Sequence, residues 1–375
     1  MPLPITAAFD DLPDPRRETA NTLHRLTDVL TVATCAVLGG ADTWDAIAAY
    51  GEAKEAFFRR FLPRPHGIPS ADTFARVFAK LRPDAFAAAF GRWMAAACEG
   101  TGLVPVAIGG KACRGAAADT AAGCRTVVSA WATTNRLTLG QVAVADGSNE
   151  IGAIPELLRT LNLSGALVTI GAAGGRVANA EIIRDGGGHD RLAVKGNQPG
   201  LLAAVEGAFA DACGRDFAGV AVDAHESADD GHGRPEERYV TVIAAPAGLP
   251  AEWPDAAAVV QGNRVRESGG ERAETTQYYL SSHAGSAAEM AGFVRGHWGI
   301  ENGLHGVLDV VFGEDDSRVR EGHAGANLAM LRRVAVSLLR RSPGKGTMPT
   351  KRLKAGWDDE FLLQVLQGIT ADVVR

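Results

Sequence analysis

With 375 residues, 46% hydrophobic and 22% charged, the chain can bury a sizeable core in two or three domains, and its apolar runs are too short or too interrupted for a membrane span. The formal net charge of −6 argues against a protein coated in nucleic acid, although a global sum hides local patches; five cysteines without a CxxC pair indicate neither a zinc ribbon nor a disulfide framework and read as buried free thiols. No basic-then-apolar leader opens the sequence, so the cytoplasm is the expected compartment.

Residues 1–21 are rich in Pro, Asp and Arg without a period, and read as an extended or disordered arm. From 22 to 100 the apolar spacing is helical, with helices expected at 23–38, 43–62, 72–81 and 83–98. GIPSAD (67–72) supplies a turn and an N-cap, and Pro83 opens the next helix. The two helices so joined fit either a DNA-reading helix-turn-helix or plain elements of a helical domain. After 100 the period becomes strand-like, with strands expected at 104–109, 125–133 and 137–145 and a hairpin turn at Thr134-Asn135-Arg136. Helix 150–161, strand 166–170, helix 176–185, strand 191–195 and helix 199–212 follow. A meander leading into this alternation predicts an α/β core over 101–213, a mixed sheet with helices on both faces. Strands return at 238–245, 257–260 and 277–281, so 214–285 reads as an all-β insertion.

Residues 286–316 read as one long helix opened by a capping box, Ser286 with Glu289. His297, Glu301, His305 and Asp309 fall at successive i, i+4 steps, which lines four polar groups along one face. Gly296, Gly299, Gly303 and Gly306 mark another face; each costs about 1 kcal/mol relative to Ala, so something is expected to approach the helix backbone closely. The segment 286–330 completes the core, and 331–375 is a basic C-terminal helical segment. From 318 to 354 the chain carries ten Lys and Arg against the single acid Glu321, the density that phosphate neutralisation needs.

Several stretches closely resemble the H-repeat-associated, ISAs-type family of bacterial insertion-sequence transposases, a branch of the DDE transposases. They are GIPSADTFARVF (67–78), IGGKACRG (108–115), GQVAVADGSNEIGAIPELL (140–158), LSGALVTIGAAGGR (163–176), LAVKGNQP (192–199), HGRPEER (232–238), YYLSSH (278–283) and HWGIENGLHGVLDVVFGEDDSR (297–318). The resemblance implies an RNase H-like fold in which two strand aspartates and a later helical glutamate hold two divalent metals, Mg²⁺ or Mn²⁺, for DNA strand cleavage and transfer. Position by position, Glu301 matches the glutamate, whereas Gly109 and Gly171 stand where the aspartates are expected. Gly175 and Arg176 replace a usual Cys-Gln, and Gly306 a usual Trp.

Two-metal phosphodiester chemistry needs hard cations about 3.5 to 4 Å apart held by carboxylates. Glycine offers no donor, so Glu301 alone holds a metal poorly, and Asp146, Asp309, Asp315 and Asp316 occupy positions already present in the family pattern. Loss of a single preorganised electrostatic group typically costs roughly 10² to 10³ in rate. The expected protein is a transposase by descent that binds double-stranded DNA at transposon ends and is impaired in cleavage. A second copy of the chain is a further expected partner. The DNA-contacting residues implied by the resemblance are Lys111, Arg114, Lys195, Asn197, Gln198, Arg295, His297, Trp298 and Asn302, joined by Arg318 and Arg320 from the basic segment; Trp298 fits either base stacking or core packing. Three other readings remain: a non-cleaving regulator of transposition, a decayed sequence without a selected role, and a zinc hydrolase using His297, Glu301 and His305.

Overall fold

The computed structural model describes residues 4–19, 22–63, 66–96, 103–116, 126–145, 147–229, 236–250, 252–253, 255–268 and 271–367. Asp146, Cys98, Cys124 and residues 232–235 of the HGRPEER stretch lie outside the described residues; Cys35 and Cys113 are buried free thiols, and Cys213 is exposed.

The chain opens with α1 (Pro4–Phe9), α2 (Leu26–Leu38), α3 (Trp44–Ala53), α4 (Glu55–Phe58), α5 (Ala71–Lys80) and α6 (Pro83–Ala96). Side-chain caps explain two of the starts: Thr43 Oγ1 accepts from the Ala46 amide at 3.2 Å, and Ser70 Oγ from the Thr73 amide at 3.3 Å. The helix expected over 43–62 breaks at Lys54, whose φ of −105° and ψ of 19° leave the helical region. The 1–21 segment is not a loose arm throughout, because α1 buries Ile5 and Phe9, and Phe9 packs edge-on against Phe90. Strands β1 (Val104–Ala112), β2 (Thr126–Ala132) and β3 (Leu137–Ala143) come next, then α7 (Glu150–Thr160), β4 (Ala166–Ile170), α8 (Val177–Asp185), β5 (His189–Val194) and α9 (Pro199–Gly214). The insertion supplies β6 (Val222–Asp229), β7 (Glu236–Ala244), β8 (Ala258–Ser268) and β9 (Glu271–Ser281). Strand β6 escapes an apolar-pattern reading because VDAHESAD is acidic and exposed for most of its length. The chain closes with α10 (Ala287–His297), α11 (Gly306–Val310), α12 (Ala324–Arg341), α13 (Met348–Trp357) and α14 (Asp359–Gln367), so α12 runs across the boundary expected at 330.

Two compact units emerge. One comprises the described residues of 1–101, 110–161 and 300–375, the other those of 102–109 and 162–299. In the first, the β2-β3 hairpin is tied to α12 by polar contacts: Ser337 Oγ accepts from the Thr138 amide at 3.1 Å, and Gln141 Nε2 donates to the Ala326 carbonyl at 2.9 Å. Asn327 Nδ2, fully buried, donates to the Phe78 and Leu81 carbonyls at 2.8 Å each, closing the C-terminus of α5 that Pro83 leaves open.

The second unit is a large mixed sheet. Seven strands follow the order β1-β4-β5-β9-β8-β7-β6, with β1, β4 and β5 parallel and the remaining pairings antiparallel. Adjacent residues of β9 face opposite ways: Tyr279 packs with Val240, Val260 and Met290 of α10, while the Tyr278 ring meets Phe209 of α9 at 5.9 Å. Helices therefore cover both faces of this sheet. The long helix expected at 286–316 is broken into α10, a π-helical turn at Glu301–His305, α11 and a short 3₁₀ turn at Glu314–Asp316. Among the described residues no helix is long and apolar enough to cross a membrane.

Candidate functional site

Parallel pairing sets the geometry of the two glycines. The last registered pair of β1 and β4 is Ile108 with Ile170, so Gly109 and Gly171 each come directly after it, side by side at the C-terminal end of β4. A Cβ added at Gly171 would meet no heavy atom within 4 Å. The next residue on β1, Gly110, behaves differently: its Cβ position lies 2.2 Å from the Glu150 carboxyl carbon, so Glu150 occupies the space a side chain would need. Alternation along the strand turns 110 and 109 to opposite faces, so Glu150 does not stand in for an acid at 109.

The face carrying position 171 holds a polar cluster under α10. Thr169, two residues before Gly171, hydrogen-bonds the His297 Nδ1 at 2.9 Å. Burial and the nearby Arg191 guanidinium push the His297 pKa down to about 4, so the ring is neutral. Arg191 is registered opposite Thr169 on β5 and is 1% exposed. Its guanidinium lies 4.3 Å from the centroid of the Tyr279 ring, yet Nε and Nη1 have no hydrogen-bond partner. A buried cation without a counter-charge is costly, and it is the residue that sequence reasoning missed. Its signal was an arginine directly before the apolar residues Leu192, Ala193 and Val194 of β5.

Lys195 is exposed past the end of β5. Asn197 Nδ2 donates to the Ala172 carbonyl at 2.9 Å and Gln198 Nε2 to that of Gly175. Their amides thus shape the turn that follows Gly171 rather than standing free. Arg295 pairs with Asp229 at 2.7 Å, and Trp298 is 53% exposed, which removes the core-packing reading.

Glu301 begins the π-helical turn, in which the Gly306 amide donates to the Glu301 carbonyl across five residues. Such widened turns are rare and recur at functional sites. Arg340 Nη2 donates to the Gly303 carbonyl inside it at 2.8 Å, and the Gly303 Cβ position sits 3.8 Å from the Trp131 ring. Gly303 thus meets its neighbours at ordinary contact distance, Gly299 faces open space, and a Cβ at Gly306 would lie 3.3 Å from the Glu301 carbonyl oxygen of the same turn. The His305 Nδ1–H donates to Glu301 Oε2 at 3.1 Å; burial and Arg333 outweigh Glu301 and lower the His305 pKa, which keeps the ring neutral. Asn302 is exposed.

Lys111 is held inside the protein among carboxylates. Its side chain is 6% exposed, and its ammonium lies 2.6 Å from Asp309, 2.9 Å from Asp315 and 3.9 Å from Glu314. Burial alone would lower its pKa, but these carboxylates prevail and raise it. Glu314 is also paired at 2.7 Å with the fully buried Arg333, whose Nε donates to Ser129 Oγ. The basic segment is correspondingly thinner as a surface than its composition implies. Arg332, Arg333 and Arg352 are buried, Arg352 pairs with Asp42, and Arg320 donates to the Gly115 carbonyl. Arg318 and Lys345 are exposed; Arg114 is exposed and lies 3.6 Å from Asp315.

Among the described residues no group of three or more His, Cys, Asp or Glu side chains could hold a metal ion, and His297 and His305 are committed to Thr169 and Glu301.

A family model described as DDE_Tnp_1-associated matches residues 6–94. The chain is 34% identical over 361 residues to the "H repeat-associated putative transposase YhhI" of Escherichia coli (strain K12), covering 94% of this chain and 95% of that relative. It is 34% identical over 363 residues to the "Putative transposase YncI" of Escherichia coli O157:H7, covering 95% and 92%. It is 38% identical over 278 residues to an uncharacterized protein in the dhlA 3' region of Xanthobacter autotrophicus, covering 73% and 93%.

Proposed function

The chain belongs to the H repeat-associated transposase family, and on that premise we propose that it is a DDE-type insertion-sequence transposase by descent whose copy of the strand-cleaving site is disabled. The observation that carries this reading is that Gly109 on β1 and Gly171 after β4 each directly follow the last registered pair of these parallel strands, Ile108 with Ile170, where two carboxylates would share a metal. The parallel β1-β4-β5 core extended by antiparallel strands supports an RNase H-like descent.

The residues present do not fit the divalent metals that the family's chemistry requires. Glycines at 109 and 171 bring no oxygen donor, and the remaining acid, Glu301, already accepts a hydrogen bond from His305. No step through a metal is therefore assigned to this chain. What remains is attachment to duplex DNA through exposed cations and amides, with Lys195, Arg295, Trp298, Asn302 and Arg318 the candidates that the fold leaves accessible. Such a protein occupies transposon ends without cutting them, which makes it a competitor of active copies.

The test is a plasmid-nicking assay with the ends of the chain's own element and Mg²⁺ or Mn²⁺. The unmodified chain stays at background, and the double variant Gly109→Asp, Gly171→Asp recovers nicking that Glu301→Ala removes again. Cleavage by the unmodified chain that disappears on Glu301→Ala would overturn the impairment.

A further inference from the structure

In the N-terminal region the described residues of 14–19 and 22–24 and helix α5 enclose an open groove of about 570 Å³, and among the described residues its lining contains no acidic side chain. Among the described residues four cations line it, Arg16 and Arg17 from the 14–19 segment and Arg76 and Lys80 from α5, together with the hydroxyls of Thr22 and Thr73. Local hydrogen bonds hold the described residues of this segment. Arg16 chelates Asp14, with Nε to Oδ1 at 2.9 Å and Nη2 to Oδ2 at 2.7 Å, and the same Nη2 donates to the His24 carbonyl at 2.7 Å. Thr22 Oγ1 donates to the Arg17 carbonyl at 2.9 Å. Asp14 therefore neutralises Arg16, while among the described residues Arg17, Arg76 and Lys80 have no ion-pair partner. Arg76 Nε donates to the main-chain oxygen of Asp72, whose carboxylate is on α5 but does not line the groove.

We infer that this groove is a docking site for the phosphate backbone of duplex DNA, an inference that rests on the transposase reading and assigns it a surface. Three exposed, uncompensated cations flank one groove, and Arg76 and Lys80 stand one helical turn apart on α5, so a run of phosphates meets several of them at once. A polyanion gains from each neutralised phosphate by counter-ion release, whereas a lone phosphate on solvent-exposed cations gains little. Among the described residues the lining offers only Pro15 and Val77 as apolar surface, which suits neither a lipid nor an aromatic ligand. The net charge of −6 repels a polyanion from most of the molecule, so a concentrated basic groove decides where it lands.

The experiment measures binding of the full chain to a labelled duplex of arbitrary sequence across a salt series. Arg17→Gln, Arg76→Gln and Lys80→Gln together should lower the slope of log K against log salt by about 2 to 3, near 0.9 per lost phosphate contact. Equal charge removal at the exposed Arg159, Arg215 and Arg272 should leave the slope unchanged. All three groove positions are exposed, and thermal unfolding of the variant checks that the fold is retained. As a second readout, duplex should protect Lys80 from acetylation while inorganic phosphate at equal phosphate concentration should not. A groove variant with the parent's slope and affinity overturns the groove and leaves the DNA reading standing. Equal protection by inorganic phosphate overturns the duplex as its ligand, and a parent chain that binds no duplex overturns the DNA reading itself.

Discussion

Position 171 and Arg191 share one face of the sheet. Thr169 is registered opposite Arg191, so Gly171 and Ala193 follow on that face, and Ala193 is registered opposite Tyr279, over whose ring the guanidinium lies. The side chain of Arg191 thus leans toward the level of Gly171. Gly171→Asp should supply the missing counter-charge, and so exceed Gly171→Asn in stability by about 1 to 3 kcal/mol. Urea unfolding in an Arg191→Leu background should show that advantage gone, and an advantage that persists there would mean the carboxylate has another partner. His297 provides a pH test. Its folded pKa of about 4 lies below the ordinary histidine value of 6.5, so between these values the unfolded chain binds more protons. Stability from this ring is present above pH 6.5 and is lost as pH falls through 4, on the order of 3 kcal/mol in all. His305 and His283 are shifted the same way, so His297→Gln should remove only part of the acid-side slope of unfolding free energy against pH.

At the scale of elements, α12 is organised around ion pairs as much as around apolar packing. Arg333 and Glu314 are both buried, and Glu314 also faces Lys111 at 3.9 Å. Removing one member leaves a buried charge uncompensated, so Glu314→Gln or Arg333→Met should each cost about 3 to 5 kcal/mol. The pair Glu314→Leu with Arg333→Met should cost less than the two single changes combined, read by denaturant unfolding. Additive losses would show that the pair is not coupled. The cap at Ser286 and the start of α6 at Pro83 were legible in sequence because they depend on residues within one turn. The π-helical turn at Glu301–His305 was not, since helical spacing alone predicts an unbroken run there.

For the whole molecule, DNA binding should fall steeply with salt, yet mutating Arg333 or Arg352 should leave the salt slope unaltered in any variant that stays folded, because neither cation faces solvent. A gel-shift series at rising salt reads this directly. By itself the sequence determined the helical N-terminal region, the mixed α/β sheet, the family, and the absence of side-chain oxygens at Gly109 and Gly171, because periodicity, caps and motif identity are local properties of the chain. Only the tertiary structure decided which charges are available. It buried Lys111 among Asp309, Glu314 and Asp315, turned Arg332, Arg333 and Arg352 inward, left two nitrogens of the buried Arg191 without a hydrogen-bond partner, and set Arg17 beside Arg76 and Lys80 along one groove. The physical reason is that desolvation and Coulomb attraction depend on neighbours distant in sequence, so a count of basic residues carries no information about which of them meet water.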